Sequence, residues 1–312
     1  MTTPARLPRH VFGAAFMTAA ALVSAGAVAG GLATHGGEFE SPAFPNDPAA
    51  TALASVAARS AGPSRGLDPA ATIAARPASA PAYSSPAGAP SPQYPFYPYD
   101  GSITFVRIRT QGYFSRGRGG WSHDYPDAEI NLFRIVSEIS KVPVRLVPTG
   151  GNVLTFDDPR LALFPLAYVS EPGDWQTSPR EAAALRDYLL RGGFVIFDDF
   201  FLREMDNLRT QMKVAFPELD FMPMDGTEPI WSTYFSIDPL KVDLQGPQKN
   251  GTPTFYALYE DNDPGKRMLA IANAGADIGD LWEWAAEGLF PVDPTNVAFQ
   301  IGVNYLMYAL TH

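Results

Sequence analysis

The chain has 312 residues, no cysteine, and 33 acidic against 23 basic residues, a formal net charge of −10 at pH 7. The missing cysteine excludes disulfides, thiolate metal ligands and a cysteine nucleophile. Only five basic and four acidic residues precede Asp100, so residues 100–312 carry −11. That balance excludes the basic surface of a general nucleic-acid binder and electrostatic docking on an anionic membrane.

In chain order, Arg6 and Arg9 come before residues 11–34, which hold neither a charge nor a proline. This is the form of a secretory signal, with Ala27-Val28-Ala29 offering an A-x-A cleavage site. The 24 residues are also long enough to cross a bilayer as an uncleaved anchor. Residues 1–35 are thus expected to be a signal peptide or a single transmembrane anchor, and the rest to be exported. From Gly36 to Tyr99 the chain places twelve prolines in 64 residues, with few large apolar side chains. Such a stretch cannot bury enough surface to offset the entropy of ordering it, so residues 36–99 are expected to be a disordered linker. A flexible chain of that length reaches roughly 45 Å. That reach suits a domain held off a membrane, facing the periplasm or cell exterior, better than one released.

Residues 100–312 suit one compact domain. Ile103–Arg109 alternates and reads as a first strand; a Gly-rich loop follows from Gln111 to Tyr125. A helix starts near Pro126, with an apolar stripe at Ile130, Phe133, Ile135, Val136 and Ile139. Val142–Val147 reads as a second strand and Leu161–Val169 as a third, with Pro165 weakening or ending it. Ser178-Pro179-Arg180-Glu181 is a capping box opening a helix that Gly192-Gly193 stops. Phe194–Phe197 is then a short all-apolar strand of the buried, parallel kind, ending on Asp198-Asp199. A helix over residues 203–216, strands Phe255–Tyr259 and Met268–Ala272, and an amphipathic helix from about Thr295 to Ala309 complete the reading. The alternation predicts an α/β domain: an open, mostly parallel sheet with helices on both faces and its site at the carboxyl ends of the strands.

Three places carry candidate chemistry. Adjacent carboxylates at Asp198 and Asp199 could bind a cation or supply a base; alternatively one caps the next helix and the other is solvated. The loop Trp121-Ser122-His123-Asp124-Tyr125 offers a polar, aromatic binding surface or a packing element. A Ser122/His123/Asp124 triad is disfavoured, because triad members normally come from separate segments. In Asp277–Trp284, Asp280, Trp282 and Glu283 could hold a sugar, although core indoles with acids at a helix N-terminus fit the pattern better. Glu260–Asp263 lacks the spacing and glycine of a calcium loop.

These landmarks together resemble DUF4159, a bacterial family of domains of unknown function found in membrane-associated proteins. The matching pieces are Phe105-Val106-Arg107, Trp121, Tyr125-Pro126, Glu129-Ile130-Asn131, Leu185–Tyr188, Gly192-Gly193-Phe194 and Asp198-Asp199. Asn273, Asp277, Gly279-Asp280, Trp282-Glu283 and Gly302-Val303-Asn304 continue the match to the end of the chain. The resemblance implies a flavodoxin-like sheet of the class I glutamine amidotransferase type. In that type the helix, Gly-Gly and strand lead to an elbow bearing cysteine. Asp198-Asp199 hold the comparable position here, so a glutaminase mechanism is excluded. Family members often show His-Pro after the third helix, where this chain has Glu228-Pro229.

The expected function is a non-catalytic, tethered ligand-binding or protein-interaction domain of the cell envelope. Its candidate ligand-binding residues are Asp198, Asp199, Trp121, His123, Asp124, Tyr125, Glu129, Asp280, Trp282 and Glu283. An envelope protein or glycan is the expected partner class; no catalytic residue, cofactor or metal ligand is assigned. The rival is a hydrolase using two carboxylates on a glycan. A divalent cation at the acidic cluster is a third reading.

Overall fold

The computed structural model describes residues 94–112, 120–244 and 253–312. The expected signal or anchor and most of the linker lie outside the described residues. Among those residues no helix is long and apolar enough to cross a membrane.

A seven-stranded sheet runs through the domain in the order β3-β1-β4-β6-β9-β8-β7. The strands β1 (Val106–Ile108), β3 (Asn152–Leu154), β4 (Leu166–Ser170), β6 (Phe194–Phe200) and β9 (Met268–Ala274) are mutually parallel. Antiparallel β8 (Thr254–Tyr259) and β7 (Phe221–Pro223) extend the far edge, and β2 (Gln111–Gly112) forms a separate ribbon with β5 (Trp175–Gln176). The α/β, mostly parallel architecture is the one expected.

Alternation along the central strands sorts the core into two layers. Phe105, Tyr168, Phe194, Ile196 and Ile271 point to one face. Helices α1 (Asp127–Ile139), α4 (Ile278–Glu283) and α5 (Val292–Thr311) cover that face through Leu132, Trp282 and Tyr305. Val106, Val169, Val195, Phe197 and Ala270 point the other way, under α2 (Pro179–Leu190) and α3 (Met205–Ala215). All seven residues of β6 are buried, as a strand with a parallel neighbour on each side and helices on both faces requires.

Local chemistry explains where α2 begins and ends. The Ser178 hydroxyl accepts from the Glu181 amide at 3.2 Å, while the Glu181 carboxylate accepts from the Ser178 amide at 3.0 Å, completing the capping box. Gly192, at φ +112, turns the chain out of the helix and into β6.

Three expectations need correction. Leu161–Leu163 lies in a 3-10 turn, Pro159–Leu163, so the third strand of the sequence reading is only Leu166–Ser170, after Pro165. Val142–Val147 is not a strand of the ladder: Val144 makes one isolated bridge to Ile103, and the sheet edge is Asn152–Leu154 instead. Pro143 has no amide to donate and Leu146 is 53% exposed, so this stretch runs along the edge half-buried, with only Val142 and Val144 against the core. Nor does β6 stop before the aspartates. It continues to Phe200, with a register irregularity between Phe197 and Phe200 and Asp199 at φ +59.

The α4–α5 contact is close because Gly302 allows it. A Cβ there would stand 2.6 Å from Trp282 Cζ2 and 2.8 Å from Leu132 Cδ1, both core side chains. Gly302→Ala is expected to destabilise the domain by about 1–3 kcal/mol through overpacking, read by urea denaturation of the full chain.

Candidate functional site

Loop 120–126 packs beside the carboxyl end of the sheet because a buried cation holds it there. Arg107, in the middle of β1, is fully buried; its Nε donates to Glu129 Oε1 of α1 at 2.5 Å. Its Nη1 donates to the carbonyls of Trp121 (3.2 Å) and His123 (2.8 Å), and the guanidinium lies over the Tyr168 ring. Burial disfavours the Arg107 charge, but Glu129 more than offsets this and its pKa rises. The clamp fixes the loop with Asp124 in the left-handed region at φ +62.

Adjacent Asp198 and Asp199 do different work. Asp198 is wholly buried and accepts four hydrogen bonds: from Tyr168 Oη (2.7 Å), Asn273 Nδ2 (2.9 Å) and the amides of Ile278 and Gly279 (3.0 Å each). The Tyr305 hydroxyl in turn donates to Asn273 Oδ1 at 2.8 Å. Asp198 therefore does cap a helix, but it is α4, some 80 residues away, and not the next one in the chain. Burial pushes its pKa up to about 7, against the donors that favour the carboxylate.

Asp199 turns the other way and is not solvated. At 6% exposure, its Oδ2 meets His123 Nδ1 at 2.8 Å and accepts from Ser170 Oγ at 3.2 Å. Adjacent strand residues point to opposite faces, so the two neighbouring carboxylates serve two different networks, and the positive φ at Asp199 marks the irregularity of β6 at this point.

Three further acids close around His123, and a fourth, Glu283, lies beside Asp124 and Asp280. Asp124 is 3% exposed; neither of its oxygens is hydrogen-bonded, and His123 Nδ1 stands 3.2 Å from Oδ1. Asp277 caps α4 by accepting from the Asp280 amide at 3.0 Å, yet its buried Oδ2 has no partner. Asp280 and Glu283 follow one turn apart on α4. The space for Asp124 exists because residue 279 is glycine: a Cβ there would lie 2.3 Å from Asp124 Oδ2.

The electrostatics follow from this crowding. Burial first, then the charges of Asp199 and Asp280, hold Asp124 well above the ordinary carboxylate range, although His123 and Arg107 pull it back. Burial and the surrounding carboxylates do the same to Asp277. The hydrogen bond that His123 makes to the Asp199 carboxylate raises its pKa to about 10, with burial opposing and the Asp124 charge assisting. Glu171 is raised as well, by burial and by Asp199. Chemically this is a pocket of oxygen donors with one imidazole. His123, Asp124 and Asp199 bring ligand atoms within 4.8 Å of one another, as do His123, Asp277 and Asp280, and Asp124, Asp280 and Glu283.

Residues 104–310, well over half of the chain, match the family described as Domain of unknown function (DUF4159). The chain belongs to the DUF4159 family. No curated protein matches it.

In this DUF4159 domain the ten candidate residues divide by location. His123, Asp124, Asp199, Asp280 and Glu283 converge on the pocket. Asp198 and Glu129 lie behind it, engaged by α4 and by Arg107. Trp282 is core at 1% exposure, in line with the indole reading that fitted better. Trp121 and Tyr125 form an aromatic group with Tyr94, their rings 5.5–6.3 Å apart, and the Tyr125 hydroxyl donates to the Thr149 carbonyl at 2.6 Å.

Asp277, Arg107, Tyr168 and Asn273 were not singled out as site residues. Asp277 had a usable signal, a carboxylate three residues before Asp280 at a helix start. Tyr168 had none, being one aromatic among many in a strand. Asn131 and Asn304 are structural. Asn131 Nδ2 donates to the carbonyls of Trp282 and Glu283, and Asn304 ties down Tyr234 and Phe235. Glu228 is spent on the amides of Asp225 and Gly226 and on Trp231 Nε1. In the loop after β8, Lys266 and Arg267 pair with Asp261 and Glu260.

Proposed function

We propose that this domain is a tethered ligand-binding module of the cell envelope, and that its ligand is a divalent cation held at the carboxyl end of β6 and the start of α4. One observation carries the reading. Asp124 and Asp277, from separate segments, are buried with carboxylate oxygens that no donor satisfies, and both face the same imidazole. Buried anionic oxygens are costly unless paired or coordinated, and a cation removes that cost. Oxygen donors with one imidazole favour Mg²⁺ or Mn²⁺ over softer ions.

The rival reading, acid–base hydrolysis of a glycan, has less behind it. Asp198 is consumed by four hydrogen bonds, and within each of the three donor groups the carboxylates lie within 4.8 Å of one another. A carboxylate pair acting across a glycosidic bond stands roughly 5–10 Å apart. We further propose that the sheet is of the class I glutamine amidotransferase type. This likeness is supported by α2, Gly192-Gly193 and β6 leading to a positive-φ residue, Asp199, at the elbow position. Export and membrane tethering rest on Arg6, Arg9 and the uncharged stretch 11–34.

The test is calorimetry and thermal unfolding of the full chain with Mn²⁺ and Mg²⁺. At a hundredfold excess over Kd, a cation that binds only the folded form should add about 2.7 kcal/mol, reversed by a chelator. Asp277→Asn should weaken the response while the domain stays folded. Absence of both heat and stabilisation with either ion sinks the reading.

A further inference from the structure

The donor set around His123 is not a single cluster. Its three groups are His123/Asp124/Asp199, His123/Asp277/Asp280 and Asp124/Asp280/Glu283. Asp199 and Glu283 share no group, so the set is elongated, and Asp124 belongs to the groups at both ends. Asp124 is also suited to bridging. It is 3% exposed, neither carboxylate oxygen is hydrogen-bonded, and it sits between the Arg107-clamped loop and the Cβ-free first turn of α4 at Gly279.

The make-up of the set points the same way: five carboxylates and one imidazole are grouped here, while the Arg107 charge is already paired with Glu129.

We propose that the pocket is a binuclear centre taking two divalent cations bridged by Asp124, one on the Asp199 side and one on the Glu283 side. Such pairs stand about 3.5–4 Å apart. The inference rests on the cation-binding reading above and adds the number of ions and the bridging residue.

Manganese is the probe, because it reports both number and coupling. The full chain is dialysed against Mn²⁺, weighed by native mass spectrometry and examined by low-temperature electron paramagnetic resonance. Two ions per chain with an exchange-coupled signal are expected. Asp199→Asn, which touches one end only, should reduce the stoichiometry from two to one and replace the coupled signal with that of an isolated ion. Asp124→Asn should lose the coupling altogether. Saturation of the unaltered chain at one ion overturns the binuclear proposal but leaves the cation reading standing, whereas no bound ion overturns both. Two uncoupled ions overturn the bridge. These outcomes are read on the unaltered chain, so they decide the matter even where a variant fails to fold.

Discussion

Replacing Arg107 by methionine is expected to destabilise the domain by about 3–5 kcal/mol, because it leaves the Glu129 carboxylate buried without its counter-charge. Both side chains are only 1% exposed, so water cannot take over the pairing. The same change frees the carbonyls of Trp121 and His123, releasing the loop that presents His123 and Asp124. Cation affinity should therefore fall along with stability. Urea unfolding of the full chain, followed by tryptophan fluorescence, measures the first effect. The double change Arg107→Met with Glu129→Leu should recover most of the stability, since an apolar pair of similar size removes both buried charges. It should not restore the loop. A loss below about 1 kcal/mol for the single variant would show that the pair contributes no more than an exposed one.

The two aspartates of β6 should give opposite results when each is changed to alanine. Asp198→Ala orphans four buried donors, the Tyr168 hydroxyl, the Asn273 amide and the Ile278 and Gly279 N–H groups. Taking about 1 kcal/mol for each, the low end for unsatisfied buried groups, the loss is about 4 kcal/mol. Asp199→Ala removes one acceptor from His123 and Ser170, but also one negative charge from a crowded pocket, so its effect on cation-free stability should stay within about 1 kcal/mol. Its effect on Mn²⁺ binding should be large. Equal losses of stability for both variants would mean that the division of labour between these neighbours is wrong.

That division shows where the sequence could be read and where it could not. The helix α2 was legible to the residue, because Ser178, Pro179, Glu181 and Gly192 act within one turn of where they sit. The parallel core was legible from the unbroken apolar run Phe194–Phe197. The stretch Val142–Val147 misled because its apolar composition is that of a strand, while its place at the edge of the sheet is set by partners far along the chain. Alternation in a regular strand would put Asp198 and Asp199 on opposite faces, but nothing local says which of them meets His123. The backbone turn at Asp199 and the packing of α4 decide that.

By itself the sequence determined the α/β class, the acidic balance of the domain and the absence of thiol chemistry. These follow from composition and from periodicity over a few residues, where the physical interactions are short along the chain. Only the tertiary structure decided which carboxylates face one another. The His123–Asp199 contact spans 76 residues and the Asp198–Gly279 bond 81, and a pocket closed over such separations is a property of the packed sheet and helices. The tertiary structure also turned Trp282 into core and Asp198 into an anchor for α4, leaving Asp124 and Asp277 with the unsatisfied oxygens from which the cation reading starts.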